Sequence, residues 1–308
     1  MAGRMSVANA PVSFGVDEII VDDAWMPEAE GILDIMVDLG FEGTELGPPG
    51  YLGTAGQVKE RLSSRGLQLV GSFLPQRFTR DDTAAEDREW LKGALQLVRD
   101  GAPEGSTTLA ILSDGFDAKD RMLYAGRIDE HPETWLDDAG WRTLIDNLHR
   151  SADIARNAGF EPVIHPHAGT YLETRDETHR LLDMMDSARI GLCLDTGHAR
   201  FGGADPVELV ETYHPLIRHV HVKDCSVAVL DAVKREGKGM EEALIRGAFT
   251  ELGNGDSGIG EVIAALQRHD YDGWLVIEQD RFLFAKDTME TLHASQRRNR
   301  DFLRSLGI

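Results

Sequence analysis

Four short apolar segments in the second half of the chain each end in a side chain that can bind a metal or transfer a proton. The residues at these ends are His165, Asp195, His221 and Glu278. An imidazole or a carboxylate at the end of an apolar strand is costly to bury alone, so four in series predict one shared pocket. Two imidazoles and two carboxylates form a mixed nitrogen and oxygen set, which suits Mn²⁺, Co²⁺, Zn²⁺ or Fe²⁺ better than Ca²⁺.

Further residues beside these strand ends are predicted to act in proton transfer. His167 and His198 each follow one of the predicted metal ligands by two or three residues, so both imidazoles can reach the pocket as acid or base groups. Lys223 can bring a cation toward a developing enolate or alkoxide. We expect Asp224 to be the structural partner of Lys223. His219 lies one layer deeper on the same strand face and is predicted to belong to the core.

The first half of the chain contributes three more candidates. Glu45 ends the second predicted strand and precedes a loop, Gly47-Pro-Pro-Gly50, that can approach a ligand closely. We expect Glu45 to contact a substrate hydroxyl or to act as the base. Asn9 in the first predicted strand and Asp114 after the fourth are predicted to line the pocket as substrate-binding residues.

Strand-like and helix-like segments alternate from end to end without a linker, and eight such units are what closes an α/β barrel. The sequence therefore predicts a (β/α)8 TIM barrel forming a single domain over 1–308. Its strands and helices lie within 5–283, and a closing C-terminal helix lies within 287–306. The segment after the seventh strand is too long for a simple loop. It predicts a long helical excursion, with 227–245 helical and part of a lid.

The composition argues against several functional classes. The 308 residues include 53 acidic and 32 basic side chains, which give a formal net charge of −21. So acidic a surface repels phosphate backbones, and nucleic-acid binding is not expected. No apolar run approaches membrane-spanning length, so membrane association is not expected either. Two cysteines, Cys193 and Cys225, fit the reduced thiols of a cytoplasmic protein.

The same residues carry a resemblance to a known group of enzymes. The chain resembles the sugar phosphate isomerase/epimerase superfamily of xylose-isomerase-like TIM barrels, and within it the inosose dehydratase-like branch. This resemblance extends over nearly the whole chain. The motifs that carry it are Leu194-Asp195-Thr-Gly-His198, His219-Val-His221-Val-Lys223-Asp224, Val276-Ile-Glu278-Gln279, Asn9-Ala-Pro-Val-Ser-Phe-Gly15 and Gly43-Thr-Glu45-Leu-Gly47.

The resemblance implies one divalent metal, with Mn²⁺ favoured, held by residues on strands five to eight. Members of the family commonly use Glu, Asp, His and Glu in that order. The positions that match the last three are Asp195, His221 and Glu278. On strand five the usual Glu is replaced by His165. Two neighbouring carboxylates stay open as alternatives there, Glu161 at the start of the strand and Glu173 after its end.

The implied activity is that of a lyase or isomerase that removes the proton alpha to the carbonyl of a keto-sugar or keto-polyol, through a metal-stabilised enediolate. Loss of a β-hydroxyl would make the enzyme an inosose dehydratase, whereas return of the proton would make it an epimerase or isomerase. Loss of a carbon substituent would make it a C–C lyase (C-deglycosidase-type) subunit acting on 3-keto glycosides. The resemblance allows a homo-oligomer or a small second subunit. An endonuclease-like phosphodiesterase and a non-catalytic sugar-binding or regulatory barrel are the competing classes.

Overall fold

Eight parallel strands close into a barrel. The computed structural model of the protein describes residues 4–17, 19 and 21–308. The strands are β1 Ser6–Asn9, β2 Gly43–Glu45, β3 Gln68–Gln76, β4 Leu109–Asp114, β5 Glu161–Ile164, β6 Gly191–Asp195, β7 Ile217–Val222, β8 Asp224–Cys225, β9 Phe249–Thr250 and β10 Trp274–Ile277. The barrel order is β1, β2, β3, β4, β5, β6, β7 and β10, which pairs again with β1. This closed barrel confirms the predicted (β/α)8 fold.

Helices surround the barrel. They are α1 Ala29–Asp38, α2 Ala55–Ser63, α3 Ala84–Gly101, α4 Lys119–Tyr124, α5 Asp138–Asn157, α6 Arg175–Met184, α7 Thr196–Phe201, α8 Pro206–Tyr213, α9 Val227–Arg235, α10 Met240–Ile245, α11 Ile259–Arg268 and α12 Met289–Ser305. A capping box of Thr174 and Glu177 opens α6. Among the described residues, no helix combines the length and the apolar character that crossing a bilayer requires.

Strand alternation divides apolar from chemically active side chains. On β6, Leu192 and Leu194 belong to the large apolar layer between strands and helices, whereas Cys193 belongs to a small cluster inside the barrel. Asp195 shares the parity of Cys193 and therefore faces the barrel axis. The same alternation on β7 directs its two histidines inward. The side chains that can do chemistry are thus concentrated on one inner surface.

Strand register brings these inward residues to the same level. Asp195 on β6 is the direct partner of His221 on β7, and His221 is also paired with Val276 on β10. The amide of Glu278 donates to the carbonyl oxygen of Val222 over 3.2 Å, which extends β10 beside β7. The C-terminal ends of three adjacent strands therefore present their last polar side chains to one mouth.

The segment after β7 forms the expected helical excursion, although as two helices rather than one. Helices α9 and α10 are separated at Gly239, where an added Cβ would overlap the carbonyl oxygens of Met122 and Leu123. Both helices pack into a second apolar cluster that includes Phe201 and Phe249. This cluster lies outside the main core and anchors the excursion beside the mouth of the barrel.

Asp224 has a different partner from the one expected. Its carboxylate accepts hydrogen bonds of 2.9–3.0 Å from the backbone amides of Cys225, Gly253, Gly255 and Ser257. A carboxylate bound by several amides stabilises the turn that carries them. The expectation that Asp224 pairs with Lys223 was wrong, because the glycine-rich turn after β9 folds back over the carboxylate.

Gly202 offers a test of how tightly the mouth is packed. A Cβ at this position would overlap the backbone carbonyl of Glu173, whose loop carries the residues after β5. We predict that Gly202→Ala lowers the free energy of unfolding by roughly 1–3 kcal/mol, as for other overpacked sites. The control is Gly93→Ala within α3, where the space is open and the change should stabilise the helix by about 0.5–1 kcal/mol. Urea unfolding of both variants measures the difference, and equal midpoints would contradict the packing.

Candidate active site

Four donor side chains converge at the C-terminal mouth of the barrel. His165 follows β5, Asp195 ends β6, His221 lies on β7 and Glu278 follows β10. One ligand atom of each lies within 4.8 Å of the corresponding atoms of the other three. Asp195 Oδ2 is 3.4 Å from His165 Nε2 and 3.5 Å from His221 Nδ1, and His221 Nδ1 is 3.1 Å from Glu278 Oε2. All four residues are buried.

The spacing of these donors fits a single divalent cation. Donors about 2.1 Å from one ion lie roughly 3.0 Å apart at right angles and about 3.4 Å apart at tetrahedral angles. The three separations between these donor atoms, 3.1, 3.4 and 3.5 Å, lie close to these values. Asp195 Oδ2 and His221 Nδ1 are buried and have charged neighbours at 3.1 Å, but among the described residues neither makes a hydrogen bond of good geometry. Buried polar atoms are rarely left so, and a shared cation would satisfy both.

The net charge of the buried groups at the barrel mouth also favours a bound cation. Three buried carboxylates, Asp195, Glu278 and Asp280, surround the ammonium group of Lys223, and a fourth, Glu45, is buried against His219 and His221. Buried anions in such excess are unfavourable without further positive charge. Burial opposes protonation of His221, but the surrounding negative charges outweigh it and raise the imidazole pKa well above its usual value. A divalent cation would supply the missing charge and displace that proton.

Glu45 binds the back of the histidine pair. Its Oε1 accepts hydrogen bonds from His219 Nε2 at 2.8 Å and from His221 Nε2 at 2.9 Å. Burial would raise the pKa of Glu45, yet the charge of His221 and the two hydrogen bonds outweigh it and hold that pKa well below the usual range. A carboxylate behind a ligating imidazole fixes the ring orientation and its tautomer. The geometry therefore favours a positioning role for Glu45 over the expected substrate contact or base.

Lys223 is held by three carboxylates. Its Nζ lies 3.1 Å from Asp195 Oδ2, 3.0 Å from Glu278 Oε2 and 2.8 Å from Asp280 Oδ1. Burial would lower the lysine pKa, but these three charges raise it well above its usual value. Lys223 is therefore a fixed cation whose position between the donor cluster and Asp280 agrees with the expected role in stabilising negative charge.

Backbone groups of Ala168 contact both His167 and His198. The carbonyl oxygen of Ala168 lies 2.7 Å from His167 Nδ1, so that nitrogen donates and the Nε2 lone pair stays free. The amide of Ala168 donates to His198 Nδ1 at 3.3 Å, and the ammonium group of Lys223 lies 2.9 Å from His198 Nε2. Burial, followed by repulsion from neighbouring cations, lowers the pKa of both imidazoles well below the usual value. His167 can thus accept a proton, while His198 is paired with the Lys223 ammonium.

The two predicted substrate-binding residues lie outside the residues that line the mouth. Asn9 donates to Gln296 Oε1 at 2.9 Å, and Asp114 accepts from the amide of Tyr171 at 3.1 Å. Both side chains are completely buried on the helix side of their strands, because their inward neighbours are Ala8 on β1 and Ser113 on β4. Burial raises the pKa of Asp114 to about 7. The structure therefore gives both residues structural partners in place of the expected ligand.

The two alternatives to His165 are placed elsewhere. Glu161 is exposed at the start of β5 and pairs with Arg218 at 3.3 Å. Glu173 is buried, but its carboxylate accepts from the amides of Gly126 and Gly169. Burial raises the pKa of Glu173 to about 7 despite these bonds. Of the three candidates considered for strand five, His165 is the one whose ligand atom joins the donor cluster.

Two functional candidates escaped sequence reasoning. Asp280 contacts Lys223 and lies 3.3 Å from His198 Nε2, and with His167 and His198 it forms a second compact donor group. The sequence did contain a signal for Asp280. It follows Glu278 by two residues on an extended segment, so the two side chains lie on the same face. His219 was assigned to the core and is indeed fully buried, yet its imidazole orients Glu45. No signal in a single sequence reveals that contact across the barrel.

Three members of the donor cluster, His165, His221 and Glu278, lie on the floor of a cavity at the barrel mouth, together with Lys223 and Asp280. A cavity with mostly apolar walls and a few convergent polar groups is typical of small-molecule sites. The floor is polar and charged, whereas the walls above it are mostly apolar.

Sequence and structure comparisons agree with this geometry. Residues 33–306 match the family described as xylose isomerase-like TIM barrel. The inosose dehydratase of Geobacillus kaustophilus (strain HTA426) is 31% identical over 284 residues, covering 89% of this chain and 87% of that protein. Two solved structures share the fold at lower identity. A zinc-bound IolI protein has a TM-score of 0.71 and 13% identity, with 98% of each chain covered.

The second structure is a D-allulose 3-epimerase from Methylomonas sp., with a TM-score of 0.68 and 16% identity, covering 99% of this chain and 100% of that one. At such identities these two structures support the fold alone. The family match spans most of the chain, and the dehydratase exceeds 30% identity over most of both proteins. The barrel with its donor cluster at the C-terminal mouth therefore belongs to the xylose isomerase-like TIM barrel family.

Proposed function

We propose that this protein is a divalent-metal-dependent carbohydrate lyase that removes the proton alpha to the carbonyl of a keto-polyol, with dehydration of an inosose as its reaction. The observation that carries the proposal is the convergence of ligand atoms from His165, Asp195, His221 and Glu278, three of which line the cavity floor. The similarity to an inosose dehydratase supports the substrate class. The same first deprotonation serves an epimerase, and the fold shared with D-allulose 3-epimerase keeps that as the second candidate.

The metal is proposed to be Mn²⁺ held by these four residues. Two nitrogen and two carboxylate oxygen donors suit Mn²⁺, Co²⁺, Fe²⁺ or Zn²⁺, and a structure with this fold carries zinc. When bound, such a cation polarises a carbonyl oxygen and so acidifies the neighbouring C–H group. Glu45 fixes the imidazole of His221 from behind, so that its Nδ1 faces the other donors.

His167 is proposed as the base. Its Nδ1 is bound to the carbonyl of Ala168, which leaves Nε2 free to accept a proton. Because burial lowers the pKa of His167 well below the usual value, the imidazole is neutral near pH 7. Its ring centroid is 5.4 Å from that of His165, so a carbonyl compound above the donor cluster lies within reach.

Lys223 and His198 are proposed to stabilise the enediolate and to protonate the leaving hydroxyl. Lys223 is a permanent cation beside the donor cluster, so it can neutralise developing negative charge without moving. His198 Nε2 lies 2.9 Å from the ammonium group of Lys223 and 3.3 Å from Asp280, so delivery of a proton to the leaving hydroxyl would involve Lys223 and His198 together. The rings of His167 and His198 are 3.6 Å apart between centroids, so base and acid act on neighbouring atoms of one substrate.

The proposed metal ligands can be tested by elemental analysis. We predict that His165→Ala, purified without chelator, retains far less than one equivalent of metal, with affinity lowered by more than the roughly 10- to 100-fold that loss of a supporting residue causes. The matched control is Glu161→Gln on the same strand, which is exposed and outside the cluster. It should keep the wild-type metal content. Metal loss from the Glu161 variant but not from the His165 variant would reverse the strand-five assignment.

The role of His167 can be tested by proton exchange. With myo-inosose in D₂O, we predict that His167→Gln slows exchange of the α-proton by roughly 10²–10⁴-fold, because the general base is lost. Its metal content should be unchanged, since the side chain is not in the four-residue cluster. The control is His293→Gln on the exposed face of α12. If wild-type protein with bound metal exchanges no proton in any carbonyl sugar, the proposed reaction is wrong.

Metal affinity should rise with pH. The pKa of His221 in the metal-free protein is raised, so the imidazole carries a proton that ligation must displace. Lowering the pH below that pKa therefore weakens binding, by up to about tenfold for each pH unit per proton released. Calorimetric titration with Mn²⁺ at several pH values, in buffers of different ionisation enthalpy, measures both affinity and proton release. Affinity that does not change with pH would contradict a protonated His221.

A further inference from the structure

The walls of the cavity differ sharply from its floor. Above the charged cluster, the lining includes side chains that offer no hydrogen bond, notably Val12, Phe73, Phe116, Met122, Met240 and Leu244. Among the described lining residues, Asp17 and Glu45 are the further charged side chains, and Glu45 is bound to His219 and His221. A cavity with a polar floor and an apolar upper half is suited to a ligand with the same division.

One wall is aromatic and adjoins the catalytic histidines. The rings of Phe73 and Phe116 are stacked, with centroids 6.3 Å apart. Phe116 meets the His167 ring edge to face at 4.9 Å, and Phe73 meets the His165 ring at 5.8 Å. Both phenylalanines are half-buried, so each keeps a free face toward the cavity. A group bonded to the reacting ring of a substrate would lie against this pair.

The opposite wall comes from the excursion after β7. Met240 and Leu244 on α10 line the cavity and at the same time belong to the second apolar cluster. They are only 2% and 3% exposed, so they are held in place by packing. Gly239 lies close to the carbonyl groups of Met122 and Leu123, so the start of α10 packs directly against α4. The apolar walls are therefore part of the folded structure.

An unsubstituted polyol can bind at the polar floor, but it offers these walls no apolar group to contact. Each of its ring carbons carries a hydroxyl, and a hydroxyl moved from water to an apolar wall loses its hydrogen bonds. An apolar substituent gains from the same transfer. We propose that the natural substrate is a keto-sugar or keto-polyol bearing an apolar aryl or alkyl group, which packs between Phe73 with Phe116 and Met240 with Leu244. This inference rests on the proposed function for the polar half of the substrate.

The test compares ring polyols that differ only in their apolar group. Phenyl β-D-glucoside and methyl β-D-glucoside carry no ketone, so their equilibrium binding to the Mn²⁺-loaded protein can be measured by calorimetry without turnover. We expect the phenyl compound to bind about 10- to 100-fold more tightly, as burial of a ring-sized apolar surface implies. Equal affinity would overturn the inference and would mean that the walls contact only the sugar ring.

Variants of two cavity-lining residues, Phe116 on the aromatic wall and Met122 on α4, locate the effect. Phe116→Ala and Met122→Ala should each reduce the preference for the phenyl compound several-fold. Trp90→Ala, which removes an exposed aromatic side chain on α3, should leave it unchanged. A preference that survives both wall variants would place the phenyl group elsewhere and overturn the inference.

Proton exchange with myo-inosose separates this inference from the proposed function. Exchange without any preference for the phenyl compound would keep the reaction and reject the apolar substituent. A phenyl preference abolished by the wall variants, without exchange in any keto compound, would keep the apolar subsite and reject the lyase. Both positive results together support the substrate class.

Discussion

The compensation of buried negative charge at the barrel mouth is the constraint on which the site depends. Asp195, Glu278 and Asp280 are buried within 3.1 Å of the Lys223 ammonium, and Glu45 is buried against the neighbouring His219 and His221. Carboxylates are not retained in such a position unless cations and hydrogen bonds compensate for their lost hydration. One lysine leaves three negative charges, and a divalent cation would reduce this excess to one. The same excess raises the pKa of His221 and of Lys223, so the mouth is set to attract cations.

The resemblance implies a carboxylate ligand on strand five, and His165 in its place would change this balance. With His165 as a ligand, the four donors carry two negative charges, which a divalent ion neutralises. A fourth carboxylate would leave the cluster negative and would bind the ammonium of Lys223 more tightly. A neutral nitrogen donor also shifts preference toward metals of the middle and later first row. The exposed position of Glu161 and the amide-bound carboxylate of Glu173 agree with this assignment.

The sequence predicted most of the barrel because alternation of strands and helices, and the two-residue period within strands, are local properties. On β6 and β7 the alternation of side chains along the strand predicted which residues face the barrel axis. The same prediction failed for Asn9 and Asp114, because their strands are buried on both faces and the pattern does not distinguish the inner face from the outer one. The contact of Glu45 with His219 and His221 joins residues 174 and 176 positions apart. Such pairing depends on closure of the barrel and leaves no local pattern.

The excursion after β7 shows how one insertion can serve both stability and specificity. The length and composition of this segment predicted its helices. They did not predict where the helices pack, because that position depends on the contact of Gly239 with carbonyls of a distant helix. Once seated, Met240 and Leu244 complete an apolar cluster on one side and a cavity wall on the other. A change in these residues would therefore alter packing and ligand preference together. The floor can stay constant because its ligands lie on the strands, which such a change does not move.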